Sequence, residues 1–124
     1  MNRYSLDELI RRSKNDPELL EAIQDALFSF EEYHRAIYTM EIRKKLLIDT
    51  VDSHEYREEV SSMDRNRTAN HNNVLANVNM LNRMAALYDL APVYDGIVSE
   101  DQPYRRQVAD SVLGFVQAII LERP

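Results

Sequence analysis

The stretch "DTVDSHE", residues 49–55, decides the fold because it separates two long segments that share one helical pattern. Asp52 and Glu55 lie three residues apart, which is the spacing of a capping box at the start of a helix. Two helices joined by so short a connection must lie antiparallel. The sequence therefore predicts a helical hairpin whose turn lies near residue 52.

Both arms of this hairpin carry apolar residues at helical spacing. The first arm is predicted to run from Pro17 to about Thr50, and the second from about Ser53 to about Leu90. Apolar positions recur three, four or seven residues apart, as in the seam of a bundle helix. The first seam is Ile23, Ala26, Phe30, Tyr33, Ile37, Met40, Leu47 and Val51. The second is Tyr56, Val60, Met63, Arg67, Asn70, Val74, Val78, Leu81, Ala85 and Tyr88.

A short helix is predicted before the hairpin. Ser5 and Glu8 form another capping-box pattern, so this helix should begin at Ser5. Asp16 is a favourable N-cap for the long helix that follows, and Pro17 is a favourable first helical residue. The N-terminal helix should therefore end before Asp16 and close one end of the hairpin.

The last part of the chain is predicted to form a third bundle helix. Pro92 stops the preceding helix, Asp95-Gly96 is a turn signal, and Asp101 caps the next helix. Residues 104–124 carry a wide apolar arc, so this helix should be the most buried one. The fold class is therefore all-α: an antiparallel helical bundle of two long helices, one further packed helix and a short N-terminal helix, in one domain over residues 1–124.

The composition excludes several classes of protein. The 124 residues contain no cysteine, so neither a disulfide framework nor a cysteine-ligated metal can form. A net charge of −6 repels phosphate backbones and argues against nucleic acid as a partner. No stretch approaches the roughly 20 apolar residues of a membrane span, and no signal-peptide pattern is present. We expect a cytoplasmic protein of bacterial type, without membrane association and without a cofactor.

A polar stretch in the second arm marks the candidate site. In "DRNRTANHNN", residues 64–73, alanine is the only apolar residue type. Facing residues of the hairpin should have numbers that add up to roughly 104, because the α-helix rises uniformly. His71 then lies near Tyr33, and His34 falls within the apolar arc of the first arm. We predict a polar layer in mid-bundle. Its members are His34, Arg67, Asn70 and His71, and its rim is formed by Glu31 and Asp64.

Three functional interpretations of this layer stay open. A metal site would use the Glu31-x-x-His34 spacing, but di-iron bundles need two such motifs and this chain has one. A pocket for a small anionic ligand, or a hydrolase, would use the hydrogen-bond donors of His34, Arg67, Asn70 and His71. A structural layer would fix the register of the helices. In each case Arg67 needs a carboxylate or a ligand as partner, because an unpaired buried charge is costly.

Several short motifs lie in the second half of the chain: Asp64-Arg65-x-Arg67, His71-Asn72, Val78-x-x-Leu81-Asn82-Arg83, Pro92-x-Tyr94, and Arg106 with Val108-Ala109-Asp110. Together they resemble a small bacterial all-helical family that is described as a domain of unknown function. The resemblance covers residues 50–123 and implies a helical fold and a bacterial origin, but no activity. The positions that it singles out are Arg67, His71, Asn72, Asn82 and Arg83.

The pattern favours a helical binding or interaction module over an enzyme, and it assigns no catalytic residue. Helical seams wider than one partner helix can cover predict a homo-oligomer, with a solution mass above the 14.5 kDa of one chain. The alternative is a protein that binds a small anionic ligand, or a hydrolase, through the predicted polar layer.

Overall fold

The computed structural model describes residues 2–94, which form three α-helices, one short 3-10 turn and no strand. Helix α1 is Arg3–Arg12, the 3-10 turn is Ser13–Asn15, α2 is Pro17–Leu47 and α3 is Ser53–Leu87. Helices α2 and α3 pack along each other, and α1 contacts both of them. The predicted all-α bundle is therefore confirmed, whereas the predicted last helix lies outside the described residues.

The hairpin turn lies where its capping pattern predicts it. The Asp52 side chain caps α3 by accepting a hydrogen bond from the Glu55 backbone N–H at 2.9 Å. Helix α2 ends at Leu47, three residues before the predicted boundary at Thr50. The chain continues as a turn there, and the Thr50 hydroxyl donates to the Leu46 carbonyl at 2.9 Å.

The register of the hairpin also follows the prediction. The ring centroids of Tyr33 and His71 lie 5.5 Å apart. Closer to the turn, the Arg43 guanidinium lies 3.8 Å from the Glu59 carboxylate. The numbers of both pairs add up to within two residues of the predicted sum of roughly 104, as the uniform helical rise requires.

Capping of α1 differs from the prediction. Asn2 is the N-cap, and its side-chain oxygen accepts a hydrogen bond from the Ser5 backbone N–H at 3.0 Å. Ser5 is inside the helix and fully buried, so the predicted start at Ser5 is wrong. Glu8 binds Arg11 and Arg12 instead of completing a capping box. Asn2 and Ser5 are both favourable caps by residue type, and Asn2 takes this role while Ser5 lies one turn inside the helix.

The core lies at the end of the hairpin that α1 covers. Its buried side chains come from all three helices and from the segment after α3: Leu9, Leu19, Ile23, Ala26, Phe30, Tyr33, Val74, Leu75, Val78, Leu81, Ala85 and Val93. Between residues 34 and 70, by contrast, Met40 is the one buried residue. The hairpin thus has a packed half next to α1 and a thin half next to its turn.

Helix α3 ends in a Schellman motif, in which two backbone bonds satisfy the last carbonyls. The Leu90 N–H donates to the Ala85 carbonyl at 2.9 Å, and the Asp89 N–H donates to the Ala86 carbonyl at 3.1 Å. Asp89 has φ 57°, the left-handed conformation that usually requires glycine. Helix α3 therefore stops at Leu87, before Pro92 can end it.

The segment after α3 returns to the start of α1. Val93 is fully buried, and its carbonyl accepts a hydrogen bond from the Asn2 backbone N–H at 2.7 Å. The N-cap residue of α1 is therefore held by a residue that lies beyond the end of α3.

Candidate functional site

His34 does not lie among the buried residues of α2. Its side chain is exposed, so its predicted place within the apolar arc is wrong. The buried side is set by Phe30, Tyr33 and Met40. His34 follows Tyr33 by one residue, which turns it about 100° away from that side, toward solvent.

His71, by contrast, lies where the sequence predicts it. It is 7% exposed, and its ring packs against the Tyr33 ring at an interplanar angle of 49°. A tilted arrangement at this distance is typical of favourable ring contacts. His71 is therefore part of the interface between α2 and α3, at the boundary between the packed and the thin half.

Arg67 has a carboxylate partner, as predicted, but it is half-buried at the edge of the interface and is not enclosed in the predicted seam. Its Nε and one terminal nitrogen lie 3.2 and 2.7 Å from the same Asp64 oxygen, one helical turn earlier. The Arg67 side chain is 33% exposed and that of Asp64 is 51% exposed. The pair lies at the edge of the helix interface, where solvent screens its attraction.

Asn70 lines a cleft of about 180 Å³ between the two helices of the thin half. The cleft is lined by Glu32, Arg35, Ala36, Thr39 and Met40 of α2 and by Met63, Asn66 and Asn70 of α3. The Asn70 amide donates to the Asn66 carbonyl at 2.9 Å. On the opposite wall, Arg35 donates to Glu32 at 2.6 Å. Of the four residues of the predicted layer, Asn70 alone lines this cleft.

The two predicted rim residues are both half-buried. Glu31 lies on α2 next to the Glu32–Arg35 ion pair, and Asp64 is occupied by Arg67. The structure thus brings Tyr33 together with His71 and Asp64 together with Arg67, while Asn70 faces the cleft and His34 faces solvent. Ligand binding by these residues stays a prediction.

Asn82 has a role that helical spacing did not reveal. Its amide nitrogen donates to the Tyr94 carbonyl at 2.9 Å, and its amide oxygen accepts from the Tyr94 backbone N–H at 3.2 Å. One side chain thereby satisfies both backbone groups of a residue that is not in a helix. The signal in the sequence was the family resemblance, which contains both Asn82 and Tyr94.

A polar cluster joins all three helices at the packed end. Asp16 caps α2, and its side chain also accepts a hydrogen bond from the Tyr88 hydroxyl. The Arg12 guanidinium lies over the Tyr88 ring, 4.8 Å from its centroid. The bond from Tyr88 lowers the pKa of the Asp16 carboxyl, with a smaller contribution from the Leu19 N–H. The same bond to Asp16 raises the pKa of Tyr88.

An apolar stripe lies on the outer side of α2 and is called the outer stripe. It consists of Leu20, Phe28, Tyr38, Ile42 and Leu46, which are 40–65% exposed. At about 100° per residue these positions fall within an arc of about 80°, on the side of α2 opposite Phe30 and Tyr33. The stripe is about 39 Å long, from the helical rise between Leu20 and Leu46. None of these five residues belongs to the apolar seam that was predicted for the first arm of the hairpin.

Within residues 2–94, no three or more His, Asp or Glu side chains are grouped so that they could hold a metal ion. In that same part of the chain, no helix has the length and hydropathy needed to cross a membrane.

Residues 1–119 match the family described as "Protein of unknown function (DUF3232)". No curated protein and no solved structure shows significant similarity to the chain.

Proposed function

Because the chain belongs to this family of proteins of unknown function, we propose a role from its own surface: a helical interaction module that self-associates through the outer stripe of α2. One observation carries the proposal. Five apolar side chains lie exposed along the face of α2 that is turned away from α3. Single exposed apolar residues are common in proteins, but several aligned on one helix face are typical of an interaction surface.

The energy available from this stripe is of the size that association requires. Burial of a fully exposed large apolar side chain contributes about 1.5–3 kcal/mol. An interface between two copies buries ten such side chains, five from each copy, and each of them is about half exposed before association. The total is comparable with the roughly 4–15 kcal/mol that association costs in lost freedom of motion.

Light scattering over a concentration series tests self-association. We expect a mass of about twice 14.5 kDa for the natural chain at the higher concentrations, as for a two-fold dimer. The double variant Phe28→Glu, Tyr38→Glu should have the mass of one chain, because it places charges in the centre of the stripe. Met80→Glu is the matched control, since Met80 is an exposed apolar residue of α3 outside the stripe. Circular dichroism verifies that each variant remains helical.

Two results would contradict this proposal. The first is a natural chain whose mass stays at that of a monomer throughout the series. The second is a Phe28→Glu, Tyr38→Glu variant that remains helical and associates as strongly as the Met80→Glu control.

The cleft supports a second candidate function, the binding of a small polar or anionic ligand. It contains the amides of Asn66 and Asn70 and the guanidinium of Arg35, which supply hydrogen-bond donors between two apolar methionine side chains. Asn70 connects it to the predicted set of His34, Arg67 and His71. This role would make the helical hairpin a scaffold for the ligand and needs no dimer.

A thermal-shift screen tests the second candidate with phosphate, carboxylates, nucleotides and divalent metal ions. A ligand at 100 times its Kd stabilises the folded state by about 2.7 kcal/mol, which is a measurable shift in Tm. Asn70→Ala and Arg35→Leu, which both alter the lining of the cleft, should each reduce the shift, whereas His54→Ala, at the exposed start of α3, should not. The absence of any shift with all four ligand classes would rule out this function.

A further inference from the structure

We infer that the two copies associate with their α2 helices antiparallel, across a two-fold axis that passes beside Tyr33. This inference rests on the proposed self-association and adds its orientation and register. The partner on the outer stripe is thus a second copy of the same chain, and each residue of the stripe has a defined counterpart.

The charges of α2 favour the antiparallel orientation. Residues 17–32 contain five Asp or Glu residues and no Lys or Arg, which gives this half a charge of −5. Residues 33–47 contain four Lys or Arg residues and one Glu, which gives a charge of +3. An antiparallel pair places each acidic half beside a basic half, whereas a parallel pair places like charges together. Complementary charges at the rim of an interface determine orientation more than affinity.

The positions of the apolar residues fix the register. An axis beside Tyr33 pairs residues of α2 whose numbers add up to about 66, since helical rise is uniform. Leu20 then meets Leu46 of the second copy, Phe28 meets Tyr38, and Gln24 meets Ile42. If the register shifted by one residue, the new partner of each of these side chains would lie about 100° further around its helix and would no longer face the interface.

Charged residues at the centre agree with the same register. Glu31 and Arg35 have numbers that also add up to about 66, so each Glu31 lies beside Arg35 of the second copy. Arg35 is held by Glu32 of its own helix at 2.6 Å. The interface therefore has a charged centre of alternating sign between two apolar ends.

The geometry of the helix is consistent with such an axis. On a wheel of about 100° per residue, each of these pairs is symmetric about one direction, which points away from the Tyr33 side chain. Tyr33 is 1% exposed and faces α3, so this direction points out of the hairpin. A two-fold interface must be self-complementary in this way, because one surface patch meets its own copy.

Disulfide trapping tests the inference directly, because the natural chain contains no cysteine. The variants Gln24→Cys and Ile42→Cys are each made alone, mixed in equal amounts and oxidised with oxidised glutathione. In the antiparallel dimer, the two copies of residue 24 lie about 27 Å apart and cannot be bridged. Mass spectrometry should detect the mixed disulfide in about tenfold excess or more over either same-site disulfide, since a bridge needs Cα atoms within about 7 Å.

The possible outcomes separate this inference from the proposed function. Predominant same-site disulfides, in a protein with dimeric mass, would overturn the antiparallel register and leave self-association standing. A monomeric mass without disulfides would overturn both. A monomer whose Ile42→Cys thiol is also protected from a maleimide would mean that residues 95–124 cover the stripe, and this too would overturn both.

Raised salt gives an independent test. Screening shortens the reach of exposed charges to about 3 Å at 1 M salt, compared with about 10 Å at 0.1 M. The excess of the mixed disulfide should therefore fall as salt is raised from 0.1 to 1 M. An excess that is unchanged would mean that charge does not set the orientation.

Discussion

The packed half and the thin half of the hairpin have the same two helices but very different interiors. In the packed half, α1 and the segment through Val93 add a further layer, and twelve residues form the core cluster. In the thin half, between residues 34 and 70, Met40 alone is buried. Two helices can bury a single seam against each other, and a third element is needed to enclose a core.

This difference explains where the candidate surfaces lie. The cleft around Asn70 is in the thin half, where no other element of residues 2–94 covers α2 and α3. The outer stripe extends over both halves, and its side chains are 40–65% exposed along the whole length of α2. The packed half therefore supplies stability, and the thin half and the outer side of α2 supply accessible surface.

The largest expected effect comes from truncating matched residues of the two halves. Phe30→Ala removes a fully buried ring from the packed half and should lower the free energy of unfolding by about 3–5 kcal/mol. Met40→Ala should cost about 2 kcal/mol, at the lower end of the usual range, because this site borders the cleft. Urea unfolding of both variants measures the difference. Equal losses would show that the two halves are equally well packed.

A smaller effect is expected from the clamp on the segment after α3. Asn82→Ala removes both bonds to the Tyr94 backbone and should lower the free energy of unfolding by about 1–3 kcal/mol. In this variant, amide hydrogen exchange at residues 93 and 94 should accelerate more, relative to the natural chain, than exchange at residues of the thin half. Asn79→Ala, on the same helix, is the control. Equal losses in the two variants would mean that the clamp contributes nothing to the packed half.

A still smaller effect, of opposite sign, is expected at the end of α3. A residue other than glycine pays about 1–2 kcal/mol in the left-handed conformation, and glycine loses about 0.5–1 kcal/mol in chain entropy. Asp89→Gly should therefore raise the free energy of unfolding by roughly 0.5–1 kcal/mol. Thermal unfolding measures the gain, and a drop in Tm would show that the Asp89 side chain itself stabilises the motif. Asp89→Ala serves as the control, because it removes the carboxylate but leaves a residue other than glycine in the left-handed conformation.

The smallest effect concerns pH and the cluster at the packed end. The pKa of Asp16 is lowered from 3.8, so its contribution is present above that pH and is lost as the pH falls through the folded value. The pKa of Tyr88 is raised from 10.0, so its contribution is present below that pH and is lost as the pH rises further. Tyr88→Phe should lower Tm between these limits and converge with the natural chain outside them. A difference in Tm that is independent of pH would exclude the Asp16–Tyr88 bond as its cause.

Local signals made the hairpin predictable from the sequence. The N-caps Asp16 and Asp52 act within three residues, and the seam of each arm repeats with the helical period. The register near Tyr33 and His71 followed from the position of the turn alone. These features depend on residues close in sequence, or on uniform helical geometry, and need no knowledge of the other elements.

The remaining features depend on contacts that have no period. The exposure of His34 depends on which side of α2 the other helices cover. The spacing of apolar residues does not define the boundary of that buried side to within one residue. The bond between Asn82 and Tyr94 joins a helix to an irregular segment. The N-cap Asn2 is held by the carbonyl of Val93, which lies about 90 residues further along the chain. Each of these outcomes is set by packing between elements.

The bond from Asn2 to the Val93 carbonyl also orders events during synthesis on the ribosome. Helix α1 leaves the ribosome first, yet its partners Tyr88 and Val93 are made last among the described residues. Helices α2 and α3 can pair as soon as both have emerged, because one short turn joins them. The contacts of Asn2 and Arg12 with Val93 and Tyr88 can form only once the segment after α3 has been made. The packed end of the described unit therefore cannot close until almost all of that unit has been synthesised.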